Sequence, residues 1–342
     1  NPLYIEELTE LLLEGNLIEM KRGTAYLTRT DVNKIPTRLN ELIISKFDRL
    51  ASELKEILRL ASVIGPEFSV KLMNKILDLG HRLRSQLDII EEFNLIIKLA
   101  DNLSKIMKAG DEYAFKNIII RDSVYNTVLK KERKKYHLLV GESIEEIFKF
   151  NLDNSLDILI YHFRKSEHLD KLKTYLHRGA EKEGKSGHFL KSEEYYREWI
   201  SLIGPDIFKV NRNIGDYLSY IDLKIQIGKF QEALEDLENL RRKAGKSLTK
   251  ELSCRADIFK SRILNYLGRY DQALDIAMET DKILNSMKKP NPEWQAECMT
   301  NIAWIYDNKA EFGQSIKFNK LALAKYCLLY TSDAADEEDS VD

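Results

Sequence analysis

The chain repeats one short spacing four times: a small residue, an aromatic two positions on, and a second small residue three positions after that. The copies are Gly187-Phe189-Ser192, Gly228-Phe230-Ala233, Gly268-Tyr270-Ala273 and Ala310-Phe312-Ser315, and their leading residues lie 41, 40 and 42 positions apart. Self-similarity at such a period marks a repeat array, in which each unit is completed by its neighbours. An apolar helical run precedes and follows each copy, so the unit reads helix, turn, helix. Glycine in the turn admits a backbone conformation that most residues avoid. The aromatic is expected to pack between the paired helices, and the small residue to let them approach. The first helices are predicted over Leu169–Glu183, Ile214–Ile227, Leu252–Leu267 and Trp294–Asn308. The alternative, an irregular helical bundle with accidental glycines, does not account for the constant period.

This turn resembles that of the tetratricopeptide repeat, which carries the same Gly-x-aromatic-x-x-Ala signature. Ile302, Ala303 and Tyr306 also stand where that family places a Leu-Gly pair and a Tyr. The family's period is ~34, so the helices or connections here must be longer. The resemblance implies a right-handed solenoid over residues 166–326, with the first helix of each pair on a concave face that holds a protein or peptide. Lys173, Lys224, Arg255, Lys260 and Arg262 lie on these first helices as exposed groups. As a basic set they would suit an acidic or carboxylate-bearing partner; the alternative is that they only solvate the helices.

The first third reads differently. Asn1 to Leu13 is an amphipathic helix ended by Gly15-Asn16. Leu17–Met20 and Ala25–Thr28 flank Lys21-Arg22-Gly23-Thr24, a hairpin signal. A helix with Leu39, Leu42, Ile43, Phe47 and Leu50 on one face follows, then another through Leu54, Ile57, Leu58 and Leu60. Gly65-Pro66 breaks it and Ser69 can cap the next. Helices around Val70–Leu79 and Leu83–Phe93 precede two short strands, Leu95–Leu99 and Tyr113–Lys116. Three compact helices followed by a two-stranded wing is winged-helix architecture.

The succession Asn-Pro-Leu-Tyr-Ile-Glu-Glu-Leu from Asn1, Ile-Pro-Thr-Arg-Leu-Asn-Glu-Leu from Ile35, Ala-Ser-Val-Ile-Gly-Pro-Glu-Phe from Ala61 and Tyr-Ala-Phe-Lys-Asn-Ile-Ile-Ile from Tyr113 resembles the segment after the ATPase core of STAND-type signalling ATPases. In that family a helical lid, a winged-helix domain and a tetratricopeptide solenoid follow the core. The resemblance implies an all-α chain: a lid remnant with a small hairpin over 1–50, a winged helix over 51–130, connecting helices over 131–165 and repeats over 166–326. It implies a non-catalytic regulatory arm that binds its own upstream ATPase domain or another protein. It also implies ATP and Mg in the full-length parent, no cofactor in this piece, and a nucleotide cyclase as the attached effector. The alternatives are a DNA-binding regulator of the large STAND activator type and a free-standing repeat scaffold. Asn1-Pro2 matches a Gly-Asn-Pro motif whose proline contacts adenine in related ATPases; a helix-starting proline is the other reading. Where the family often has a phosphate-sensing histidine two residues after a phenylalanine, this chain has Asn117, which cannot carry charge.

Other patterns are weaker. Gly179-Ala180-Glu181-Lys182-Glu183-Gly184-Lys185-Ser186 matches the P-loop spacing, but the preceding segment has helical periodicity and two carboxylates stand where phosphate would. Lys130–Lys135 is the most basic cluster, yet Asp88, Glu91 and Glu92 on the candidate recognition helix would repel nucleic acid. The six histidines lack metal-ligand spacing, and no nucleophile, kinase or cyclase motif occurs. Apolar runs stop short of a membrane span, and three cysteines without pairing logic favour a reducing cytoplasm. Residues 327–342 read like a translated sequencing adapter or a disordered acidic tail; without their six acids the net charge would be +4 instead of −2. With no starting methionine, the chain is expected to be an internal piece of a longer protein.

Overall fold

The computed structural model describes residues 18–21, 24–27, 39–99 and 112–338, together with Ile5 and Thr9, which are both helical. The chain is about 80% helical and divides into two compact units, one up to Tyr175 and one from Leu176 onward.

In the first unit, β1 (Ile18–Lys21) and β2 (Thr24–Leu27) pair antiparallel with Lys21 opposite Thr24, while Arg22 and Gly23 of the predicted hairpin lie outside the described residues. Helix α1 (Leu39–Asp48) buries Leu42, Ile43 and Phe47, and α2 (Ser52–Ile64) buries Leu54, Ile57, Leu58 and Ala61. Both are amphipathic stripes that need a core to face. Gly65 ends α2. The next residues, Glu67–Ser69, form strand β3, which the sequence reading does not anticipate beside its two wing strands. Ser69 ends the strand and also caps α3 (Val70–Leu77), its hydroxyl accepting from the Leu72 amide. Helix α4 (Arg82–Glu92) turns Leu83, Leu87 and Ile90 inward at helical spacing. Strands β4 (Ile96–Lys98) and β5 (Glu112–Phe115) complete an antiparallel sheet in the order β3-β5-β4. Phe68 on β3 stands opposite Tyr113, its ring 6.2 Å from that of Tyr113 and 5.7 Å from that of Phe115. Helices α5 (Ile118–Thr127), α6 (Lys130–Ile147) and α7 (Leu156–Ser166) follow.

Four helix pairs come next: α8 (Leu169–Lys185) with α9 (Phe189–Ile203), α10 (Asn211–Gln226) with α11 (Phe230–Ala244), α12 (Lys250–Tyr266) with α13 (Tyr270–Asn285), and α14 (Pro292–Asn308) with α15 (Phe312–Glu338). The repeating turns separate them. Gly187, Gly228, Gly268 and Ala310 have φ of 79°, 79°, 74° and 60°. In each turn the next amide reaches back five residues: His188 to Glu183, Lys229 to Lys224, Arg269 to Leu264 and Glu311 to Tyr306. That is the 6→1 bond of a Schellman motif, which requires the left-handed residue. The small residues Ser192, Ala233, Ala273 and Ser315 are buried.

The aromatics depart from expectation. Phe230 stacks on Tyr266 of the next pair at 4.5 Å, so it packs forward along the array and not only within its own pair. Phe312 is 62% exposed; among the described residues no further helix pair follows to cover it. Helix α15 does not stop at Tyr326: its backbone runs on to Glu338 through the adapter-like string.

Candidate protein-binding surface

The first helices α10, α12 and α14 lie side by side because each pair stacks on the last, and residues one repeat apart become neighbours. Asp222, Arg262 and Glu297 come from these three helices. Arg262 Nη2 donates to Asp222, and its Nη1 donates to Glu297 at 3.2 Å. Arg255, two turns before Arg262 on the same face, also donates to Glu297. Two guanidinium groups and two carboxylates thus form a continuous chain across three repeats. Phe259 lies between the arginines, 4.5 Å from the Arg255 guanidinium and 5.0 Å from that of Arg262, while Trp294 takes the Arg255 guanidinium at 5.6 Å. Burial pushes Arg255 down from its ordinary pKa, opposed mainly by Asp222.

Two depressions run along this face and share Ser219 and Asp222. One, of about 230 Å³, is lined by Leu218, Leu252, Arg255, Phe259 and Trp294. The other, of about 420 Å³, is lined by Glu181, Lys185, Tyr196 and Gln226. Together they form a groove with apolar walls and charges of both signs.

The five basic residues expected to form one exposed surface do not share an environment. Arg255 lines the groove and Arg262 is tied to its wall through Asp222, but both already hold carboxylates. Lys224 is buried and turned to the second helix: its Nζ donates to Asp236 on α11 at 2.7 Å, and Glu232 lies 3.3 Å away. The reason is angular. Lys224 is two positions from Asp222, and such residues fall on different sides of a helix. Although burial opposes its charge, Asp236 holds Lys224 up to about 12. Lys260 is half-buried on α12. Lys173 belongs to the first unit and lies 4.0 Å from Asp170 in its own helix. The sequence reading missed Asp222 and Glu297. Their signal was available, because Asp222 and Arg262 are separated by 40 residues and Arg255 and Glu297 by 42, one repeat in each case.

The remaining candidates are placed as follows. Asn1 and Pro2 lie outside the described residues. Asn117 caps α5, its Oδ1 accepting from the Ile120 amide at 2.9 Å, while its amide nitrogen is buried without a partner. The P-loop-like stretch is helical through Lys185, which commits its amides to the helix. Its Gly184 is instead a packing residue, since a Cβ there would stand 3.2 Å from Ser192 Oγ. In the basic cluster, Lys134 pairs with Glu167, and Arg133 donates to the Val128 carbonyl. On α4, Asp88 accepts from the Tyr113 hydroxyl and Glu91 from the Lys98 amide, so both acids brace the sheet. Cys254 and Cys298 are buried free thiols and Cys327 is exposed. Among the described residues no helix is long and apolar enough to cross a membrane, and no group of three or more metal-ligating side chains occurs.

No family model matches the chain, and no curated protein matches it in sequence. Solved structures resemble it weakly. A kinesin light chain with nearly identical TPR-like repeats from Podosopora anserina overlays with a TM-score of 0.43 at 13% identity, covering 60% of this chain and 99% of that one. BtubC from P. vanneervenii overlays at 0.42 with 12% identity, covering 61% and 86%. A signal transduction ATPase with numerous domains (STAND) and a tetratricopeptide repeat sensor, from Pyrococcus horikoshii, overlays at 0.38 with 14% identity. That match covers 86% of this chain but 47% of the archaeal protein, so this chain spans about half its length. At these levels the repeat assignment rests on the four recurring turns, each with a left-handed residue and the same backbone bond, and not on the overlays.

Proposed function

We propose that the chain is the non-catalytic regulatory and protein-binding arm of a STAND-type signalling ATPase. Three features support the reading. The helices α2 to α4 with the β3-β5-β4 sheet suit a winged helix, the four Schellman turns suit a tetratricopeptide solenoid, and the two occur in the order the family uses. In this reading the ATP- and Mg-binding core lies elsewhere in the parent chain, and a nucleotide cyclase is the attached effector. The arm acts in the cytoplasm by holding either the ATPase domain of its own parent or a separate protein.

The groove over α10, α12 and α14 carries the binding part of the proposal. Its walls from Leu218, Leu252, Phe259 and Trp294 suit an extended protein segment, and the Arg255 guanidinium between two aromatic rings suits a carboxylate on that segment. An incoming carboxylate would exchange with Glu297 and would not find an unoccupied cation. Recognition therefore depends on shape and exchange more than on net positive charge. The test is site-specific photocrosslinking in host lysate, with benzoylphenylalanine at Ser219 in the groove or at exposed Glu238 on α11. Discrete adducts from position 219, absent at 238, are the expected result. Equal adducts at both positions, or none at 219, would overturn the assignment of the groove.

A further inference from the structure

The β3-β5-β4 sheet of the first unit has two edges, and the fold treats them differently. At the β4 edge the outward amide of Lys98 is taken by Glu91 Oε1 at 2.8 Å. That side chain blunts the edge against a further strand. The β3 edge has no such guard. In an antiparallel ladder alternate residues turn both backbone groups toward the same neighbour. The Phe115 amide donates to the Pro66 carbonyl at 2.9 Å, and Phe68 stands opposite Tyr113, so Pro66 and Phe68 bond toward β5. Glu67, between them, turns its N–H and C=O the other way. Among the described residues no strand lies on that side, and no group bonds either atom.

A cavity of about 380 Å³ is lined by five consecutive residues here, Gly65 to Ser69. Successive side chains of a strand point to opposite faces of the sheet. A cavity touched by all five therefore lies along the strand's edge and not on one face. The edge toward β5 is filled, which leaves the edge that carries the free Glu67 groups. Ile158 and Tyr161 on α7, and Ile64 at the end of α2, supply apolar walls, each of them half-buried. Pro66 is exposed and Glu67 half-buried, so the run reaches the surface.

A bare strand edge recognises backbone, one donor and one acceptor at a fixed spacing, while pockets beside it select alternate side chains. We propose that β3 accepts one extended segment of a partner protein, antiparallel to it, as a fourth strand on the three-stranded sheet. One residue of the segment exchanges both backbone bonds with Glu67 and so continues the β3-β5-β4 ladder. Aliphatic side chains beside that residue take the space along Ile64, Ile158 and Tyr161. The contact is short, because β3 has three residues, about 10 Å of strand. It selects an extended backbone with apolar neighbours and not a long motif, and a single peptide binds it weakly. This surface is separate from the groove over α10, α12 and α14.

The test is amide NMR on the full chain. Without ligand, the Glu67 amide should exchange at least about tenfold faster than the ladder-bonded amides of Phe68 and Tyr113. The probe is the peptide acetyl-Lys-Val-Ile-Val-Lys-amide, which should shift the Glu67 amide signal saturably and slow its exchange. The same peptide N-methylated at its three central residues keeps the side chains but loses the donors, and should bind at least about tenfold more weakly. Glu67→Ala keeps the backbone N–H and should bind the peptide as the native chain does. Glu67→Pro removes that N–H at an edge position, where proline is tolerated, and should weaken binding at least about tenfold while distant amide signals stay in place. A Glu67 amide as protected as that of Phe68 in the free chain would show the edge already filled. That result, equal affinity for the two peptides, unchanged affinity in Glu67→Pro, or no saturable shift would each overturn the proposal.

Discussion

Acid should weaken the first unit through His137 and His162, and the size of the effect follows from their burial. Both imidazoles are inaccessible to solvent and 2.9 Å apart. Burial lowers His137 from 6.5 to about 4 and His162 to about 3, with nearby positive charge adding to it. In the unfolded chain each would titrate near 6.5. A base whose folded pKa is depressed leaves the unfolded state holding more protons, so stability falls as pH drops below 6.5 and levels off only near the folded values. At pH 5 each unfolded histidine is almost fully protonated and each folded one almost neutral, a loss of about 2 kcal/mol per histidine and about 4 kcal/mol for the pair relative to pH 7.5. The assay is amide exchange over α6 and α7 in urea at the two pH values. Tryptophan fluorescence gives an internal control, since Trp199, Trp294 and Trp304 all lie in the second unit. That unit should respond with the opposite sign. Burial disfavours charge on His177, but Asp216, whose Oδ1 lies 3.2 Å from His177 Nε2, and Glu181 raise its pKa overall. Its stabilising contribution is present below 6.5 and is lost as pH rises through the folded value. Equal protection of α6 and α7 at both pH values would refute the reasoning. So would a full acid loss retained in a folded His137→Gln/His162→Gln chain.

Two further perturbations test the repeat array. Gly268→Ala places a Cβ at φ 74° and should destabilise the second unit by about 1 kcal/mol, whereas Ala310→Gly relieves the same conformation at φ 60° and should stabilise it by a similar amount; urea melts followed by tryptophan fluorescence must show opposite signs. Arg262→Met strands Asp222 and part of Glu297 on a face about one-fifth to one-quarter exposed, which should cost about 1–2 kcal/mol, between the exposed and the buried extremes. Asp222→Asn added to it should recover part of that loss, and strict additivity in the double-mutant cycle would remove the ion chain from the account.

The repeat turns were legible because their demand is local. A Schellman turn needs one left-handed residue, and close helix approach needs a small one three to five positions on, so the requirement is written within six residues. Ala310 shows how strong the surrounding geometry is, because it takes the glycine conformation without being glycine. Strand β3 was not legible: Glu67-Phe68-Ser69 is too short to carry an alternation, and its backbone is extended because β5 lies beside it. The charged face failed for a different reason. Each first helix, read alone, shows lysines and arginines, and only superposing the helices at one repeat period brings Asp222 beneath Arg262 and Glu297 beneath Arg255. A repeat protein's surface charge is therefore a property of columns one period apart, and the same period that reveals the fold should be used to cancel charges before a binding face is read. The histidine pair has no such rule. His137 and His162 are 25 residues apart in different helices, and neither the spacing nor the residue type separates them from His81 or His168. Their contact exists because α6 and α7 pack with both residues turned inward. A neutral imidazole pair tolerates that burial, whereas a lysine or carboxylate pair at the same two positions would keep a charge or leave two orphaned polar groups.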